Sequence, residues 1–372
     1  MKPKILIFSL AYSPLWGGAE IAVKEITDRI ADAEFFMITK KFNTGDEKKE
    51  RIGNINIFRI NSSKLLFPFK AYLAARKLHK KENFSAVWSI MANRAGFAAL
   101  FFKFNFREIK FLLTLQEGDP AEYIKKRAGF LWIIIKPLFK KIFTEADYIQ
   151  AISRYLADWA EKMNAKCPIE IVPNGVDLSK AKPKAEKRKA DETIIITTSR
   201  LVPKNGIADL IDAAKILTEE ECKIELQILG DGPEKKACEL RIANYGLRDK
   251  INLLGHVPQE QIPEYLAAAD IFCRPSLSEG LGNSFLEAMA AGLPVVGTPV
   301  GGIPDFISDG ETGLFAEPGN PKSIAEKIKI LINDPALTQK LSENGKKLVF
   351  EKYGWNGISQ KMSKILWNLI HS

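Results

Sequence analysis

Short apolar runs alternate with helical stretches along almost the whole of this 372-residue chain. In the first half the runs fall at residues 4–8, 34–39, 55–60, 86–90, 110–115 and 147–152. In the second half they fall at 193–198, 223–229, 250–254, 270–273 and 294–296. Strands separated by helices predict parallel, doubly wound sheets. The chain is too long for one ordinary core, so two α/β domains are the natural division. Residues 178–192, LSKAKPKAEKRKADE, carry almost no large apolar side chain and read as an exposed linker. The expected organisation is a first domain at 1–177, the linker at 178–192, a second domain at 193–354 and a closing helical segment at 355–372.

One stretch carries the chemistry. Residues 273–305 read CRPSLSEGLGNSFLEAMAAGLPVVGTPVGGIPD. A short strand is followed by a loop rich in Gly and Ser and then by a helix expected over 284–291. The start of such a helix points its unpaired N–H groups and the positive end of its dipole into the loop, an arrangement that attracts phosphate. Glu279 precedes the glycines and Glu287 lies inside the helix. On one continuous helix they would be about 12 Å apart, but Gly280 and Gly282 break that helix, so Glu279 belongs to the loop. Nothing here suggests the flanking carboxylate pair of a glycosidase. A carboxylate beside a phosphate-binding helix start is suited to accept hydrogen bonds from ribose or sugar hydroxyls, and equally to capping the helix.

Glu279 and Glu287, with seven residues between them, match the E(x7)E motif of retaining glycosyltransferases. EGLGNSFLEAMAAGLPVVGTPVGGIPDFI resembles glycosyltransferase family 4, of the GT-B fold, almost position by position. GGAE at 17–20 and IVPNGVD at 171–177 extend the resemblance to nearly the full length. It implies two Rossmann-like domains facing a cleft, with a C-terminal helix crossing back to the first. It also implies ribose binding by Glu287, a place near the donor sugar for Glu279, and diphosphate binding by the loop N–H groups of Gly280, Gly282, Asn283 and Ser284. Gly18 would approach donor or acceptor. The turns holding Gly230 and Val257 would lie beside the nucleotide. The family has an Arg and, five residues later, a Lys on the diphosphate. Arg200 matches, but the later position is Asn205 and Lys204 comes one residue early. At Gln116 members often carry His; a glutamine there can hydrogen-bond but cannot act as a general acid or base. Catalytic work would fall to Glu279, Arg200 and Lys204.

The implied reaction is transfer of a sugar, with retention, from a nucleotide diphosphate sugar to an acceptor hydroxyl on a lipid-linked or cell-surface glycan. A UDP-sugar is favoured and a GDP-sugar is the other option. No DxD sequence occurs, and four scattered Cys with three His make no metal-ligand pattern, so neither a metal nor another cofactor is expected. A nucleotide-sugar epimerase and a catalytically silent sugar-nucleotide binding protein are the alternatives on the same scaffold. The N-terminal MKPKILIFSLAYS reads as a first strand rather than a secretory leader, and the expected location is cytoplasmic, with peripheral attachment to the inner membrane face.

That attachment is argued from charge. The formal net charge is +9, yet residues 1–180 carry 11 more basic than acidic side chains and the remainder two more acidic than basic. Residues 64–141 alone account for an excess of 11, which points to an anionic partner, here a membrane surface rather than nucleic acid. Within them residues 123–143, YIKKRAGFLWIIIKPLFKKIF, are too short to span a bilayer. They suit either a basic amphipathic helix on an anionic surface or a helix packing its apolar stripe on the sheet.

Overall fold

The computed structural model describes residues 2–116, 118, 129, 132–182 and 192–371. Glu117, Asp119 and Pro120, the basic residues Lys125, Lys126 and Arg127, and most of the expected linker lie outside the described residues. The chain divides into two compact units, Met1–Asn174 with Trp355–Ser372, and Gly175–Gly354.

The first unit is built on an eight-stranded sheet: β1 (Lys4–Phe8), β2 (Glu34–Lys40), β3 (Lys49–Ile52), β4 (Ile55–Ile60), β5 (Ala86–Ile90), β6 (Lys110–Leu115), β7 (Tyr148–Ala151) and β8 (Ile169–Ile171). Their spatial order is β3-β4-β2-β1-β5-β6-β7-β8, and every pair is parallel except β3 with β4. Helices cover both faces of such a sheet, so its central strands are apolar throughout. All five residues of β5, AVWSI, are buried. The two strands of this unit beyond the expected set are at its edges. β3 (KERI) and β8 (IEI) are short and carry charged side chains, as edge strands do to avoid pairing with other chains, and this removes the apolar run that betrays a central strand.

Burying this sheet requires its few polar groups to pair with one another. Trp88 Nε1 donates to Thr114 Oγ1 at 2.8 Å, Thr114 Oγ1 donates to Gln150 Oε1 at 2.7 Å, and Gln150 Nε2 donates to the Val172 carbonyl. This relay runs from β5 across β6 and β7 to the residue after β8. The last helix, Trp355–His371, completes the unit: Trp355, Ile358, Met362, Ile365, Leu366 and Leu369 enter the core of the first sheet. Their spacing is the i, i+3, i+4, i+7 stripe of an amphipathic helix.

The second unit holds β9 (Thr193–Thr198), β10 (Ile224–Leu229), β11 (Ile251–Gly255), β12 (Ile271–Cys273), β13 (Val295–Gly297) and β14 (Leu314–Phe315). The order is β11-β10-β9-β12-β13-β14, all parallel. Gly175, Val176 and Asp177 group with this unit: the Val176 N–H donates to the Tyr353 carbonyl at 2.8 Å. The direction of winding reverses between β9 and β12, and at such a switch point the loops leaving the carboxyl ends diverge and open a crevice. Both units are thus Rossmann-like parallel-sheet α/β folds.

Met362 is fully buried and its neighbour Lys361 is exposed on the same helix. Met362→Ala should cost about 2–5 kcal/mol and Lys361→Ala less than about 0.5 kcal/mol. Denaturant titration of both variants checks the pair, and equal midpoints would contradict the placement of this helix in the core.

Candidate active site

The loop after β12 and the helix Asn283–Ala290 occupy the switch point of the second sheet. The helix starts one residue before its expected position, directly after Gly282, which has φ +100°. A side chain there would be strained, and its Cβ would also come within 2.9 Å of the Phe285 ring. Phe285 anchors the helix by packing edge-on against Phe272 of β12, with ring centroids 5.1 Å apart.

Glu279 is held on every side. Its Oε1 accepts the Gly280 N–H at 2.9 Å, and its Oε2 forms an ion pair with Arg274 Nη2. Its carbonyl accepts the Gly302 N–H at 3.2 Å. Gly301 presses against that same carbonyl, where any Cβ would fall 1.7 Å from the oxygen. Both carboxylate oxygens are therefore engaged, which leaves Glu279 poorly suited to act as a covalent nucleophile.

Arg274, to which neither the motif nor its spacing assigns a role, is the hub. It is 7% exposed. Its Nε donates to Ser276 Oγ at 3.0 Å, its Nη1 donates to Ser284 Oγ at 2.7 Å, and its guanidinium lies 5.3 Å from the centre of the Phe285 ring. Burial draws its pKa down to about 10, with Glu287 opposing that shift. Burial pushes the Glu287 carboxyl up to about 7, while the positive charges of Arg274 and then Lys180 pull it back. The signal in the sequence is a charged residue directly after the apolar run IFC, where a strand end would ordinarily stay apolar.

Arg200 and Lys204 follow β9. Arg200 is exposed and Lys204 half-buried. The Lys204 carbonyl accepts the Leu277 N–H at 2.7 Å and the Ser278 N–H at 3.3 Å, and Gly206 packs so closely on Pro275 that a Cβ would fall 1.9 Å from its carbonyl oxygen. The turn carrying Lys204 is thereby fixed to the loop carrying Glu279. Asn205 is 6% exposed and its side-chain amide donates to the Arg200 carbonyl at 2.7 Å; it braces this turn from inside.

Gly230, with φ +147°, packs on Ser199 and its N–H donates to the Gly255 carbonyl at 2.7 Å. This joins the ends of β9, β10 and β11, with Val257 half-buried just beyond. Gly230, Val257, Arg200, Lys204 and Glu279 lie in loops or helix starts of the second unit, and Glu287 lies inside its helix Asn283–Ala290. Gly18 and Gln116 lie in the first unit, after β1 and β6 respectively. Gly18 is exposed and opens the helix Gly18–Asp28. Gln116 Oε1 accepts from Asn174 Nδ2 at 3.2 Å. Among the described residues no cluster of His, Cys, Asp and Glu could hold a metal ion.

Comparison with known proteins agrees with this architecture. Residues 16–180 match the model for Glycosyltransferase Family 4 and residues 179–348 the model for Glycosyl transferases group 1. An uncharacterised glycosyltransferase of Methanocaldococcus jannaschii is 27% identical over 97% of each chain. Sucrose-phosphate synthase of Thermosynechococcus elongatus superposes with a TM-score of 0.85 at 22% identity over 99% of each chain. HepE of Anabaena, solved with UDP and glucose, gives a TM-score of 0.78 at 20% identity over 98% of this chain and 100% of that one. With two matching models that together run from residue 16 to residue 348, and two Rossmann-like sheets of the GT-B type, the chain belongs to glycosyltransferase family 4.

Proposed function

We propose that this glycosyltransferase moves a sugar, with retention of anomeric configuration, from a UDP-sugar to a hydroxyl of a lipid-linked or cell-surface glycan. The observation that carries the donor reading is the grouping of Glu279, Glu287 and Arg274 around the start of the helix Asn283–Ala290. HepE, a structural neighbour, was solved with UDP and glucose, which supports a UDP-sugar; a GDP-mannose-dependent mannosyltransferase of Mycolicibacterium smegmatis, 26% identical over 63% of this chain, makes a GDP-sugar the other option. The helix dipole and the cations Arg200 and Lys204 stabilise the departing diphosphate. The bond from the sugar anomeric carbon to the phosphate oxygen breaks and that oxygen takes the electron pair. The acceptor oxygen bonds to the same face of the carbon, and its proton passes to the departing phosphate oxygen. This front-face route needs no protein nucleophile, consistent with a Glu279 whose two oxygens are already engaged.

The first unit offers the membrane surface. Leu65 is 82% exposed, and Leu66, Phe69 and Leu73 are exposed with it at the start of the helix Phe67–Glu82, among the exposed Lys64, Lys70 and Lys77. The helix Trp132–Thr144 divides its apolar residues: Phe139, Ile142 and Phe143 enter the core, while Ile133 and Ile134 are exposed beside Lys136. Both helices pack on Arg94–Asn105. Phe130 and Leu131 lie outside the described residues. No helix among the described residues is long and apolar enough to cross a membrane, so attachment would be to one face. Each cation near an anionic leaflet adds about 1 kcal/mol.

Three outcomes test this function. Glu287→Gln should weaken UDP binding by about 1.5–3 kcal/mol, the worth of a hydrogen bond to a charged acceptor, whereas Glu279→Ala should act chiefly on turnover. The ionised Glu287 is the better acceptor, so wild-type affinity should rise as pH rises through about 7. The Gln variant should lose that component, and calorimetry in which both proteins share one pH profile would remove Glu287 from the ribose site.

Activity should survive excess EDTA, because cationic side chains and the helix dipole take the place of a metal bridge. Activity lost in EDTA and restored by Mn²⁺ would reverse this. The same assay with donor alone separates the transferase, which leaves the sugar unchanged without acceptor, from an epimerase.

Flotation with vesicles containing anionic lipid should capture the full chain at low salt and release it as salt is raised. Capture should fall when Lys64, Lys70, Lys77 and Lys136 are changed to Glu. Failure to float at low salt would leave a soluble acceptor as the better reading.

A further inference from the structure

A guanidinium buried at a strand end is an unusual choice beside a site for an anion, since its charge is hidden from the ligand. It has to be paired to be tolerated there. Arg274 meets that need with three groups: Ser276 Oγ at 3.0 Å, Ser284 Oγ at 2.7 Å and the Glu279 carboxylate. Arginine donates only, so both serine oxygens act as acceptors toward it. A hydroxyl carries one proton and two lone pairs. With Arg274 engaged on one side of Ser284 Oγ, the proton of that hydroxyl must point away from the guanidinium. Ser284 is the second residue of the helix Asn283–Ala290 and is half-buried, so its side chain stands at the positive end of the helix.

Charge makes the same arrangement necessary. Glu279 and Glu287 are two carboxylates beside a helix start, and unopposed they would repel a diphosphate. Arg274 pairs with the first and opposes the charge of the second. Replacing it by an apolar residue would leave the half-buried Glu279 without its ion pair and Glu287 without the larger of the two positive charges that oppose it.

We propose that Arg274 is a positioning residue: it fixes the Ser284 hydroxyl as a hydrogen-bond donor to the diphosphate of the sugar donor and offsets the charge of Glu279 beneath it. This rests on the reading that the second unit binds a nucleotide diphosphate sugar. Arg274 does not touch the ligand. Its effect passes through Ser284, so the two residues form one unit and their substitutions should not add.

Calorimetry on the full-length protein tests this with UDP, GDP and the matching monophosphates. For whichever diphosphate the wild type binds, Ser284→Ala should weaken binding about tenfold, the worth of one hydrogen bond, with the monophosphate changed less than about twofold. Arg274→Gln should show the same selective loss, Arg274→Lys a smaller one, and the Arg274→Gln, Ser284→Ala double variant no more than the larger single loss. Should Arg274→Gln fail to fold cooperatively, Ser284→Ala and Arg274→Lys give the same reading on their own. The proposal is overturned if Ser284→Ala or a folded Arg274→Gln binds the diphosphate as wild type does, or if the two losses add. A wild-type protein that binds neither UDP nor GDP overturns the donor reading itself, and the role of Arg274 with it.

Discussion

Parallel strands cannot be joined by a tight turn, so each connection crosses over through a helix and all the strands of one sheet end on the same edge. In the second unit five short segments, after β9, β10, β11, β12 and β13, reach one edge, and the reversal between β9 and β12 opens it. Every contact that shapes the candidate site is made there: Gly230 to Ser199, Gly206 to Pro275, the Lys204 carbonyl to Leu277, and Gly301 to Glu279. Loops of this kind are held by backbone approach, which is why glycine stands where a side chain would collide with a neighbouring carbonyl.

Electrostatics then assigns the roles. The proposed site must be attractive to a diphosphate while carrying two carboxylates beside its helix start. It resolves this by engaging both oxygens of Glu279 and by pairing that residue with Arg274, whose charge also opposes that of Glu287. Glu287 remains a partly desolvated carboxyl that ionises near neutrality, so its acceptor strength is sensitive to what approaches it. In the proposed site the positive end of the helix and the cations after β9 would supply the net attraction. The first unit solves a different problem, burying a polar relay from Trp88 to Val172 within an apolar sheet and leaving its outer helices basic and, at Leu65, Leu66, Phe69, Ile133 and Ile134, apolar toward solvent.

The alternation of apolar runs determined the sheet architecture, because central parallel strands must be apolar on both faces and show as continuous runs in the sequence. The apolar run, the Gly- and Ser-rich loop and the helix-forming residues after it determined the strand, loop and helix here, and the resemblance to family 4 that Glu279 and Glu287 help to carry located the candidate site. These are local properties, carried by neighbouring residues. Only the tertiary structure decided which side chains and backbone groups meet within the turns and between the strand ends. It gave Arg274 its partners, turned Asn205 inward onto Arg200, docked the Lys204 turn on the loop of Glu279, and divided the helix Trp132–Thr144 between core and solvent. It also added β3 and β8, whose charged side chains hide them from an apolar pattern. A side chain's identity states how many hydrogen bonds it can make, but which ones it makes is set by the strand ends that the fold brings to one edge.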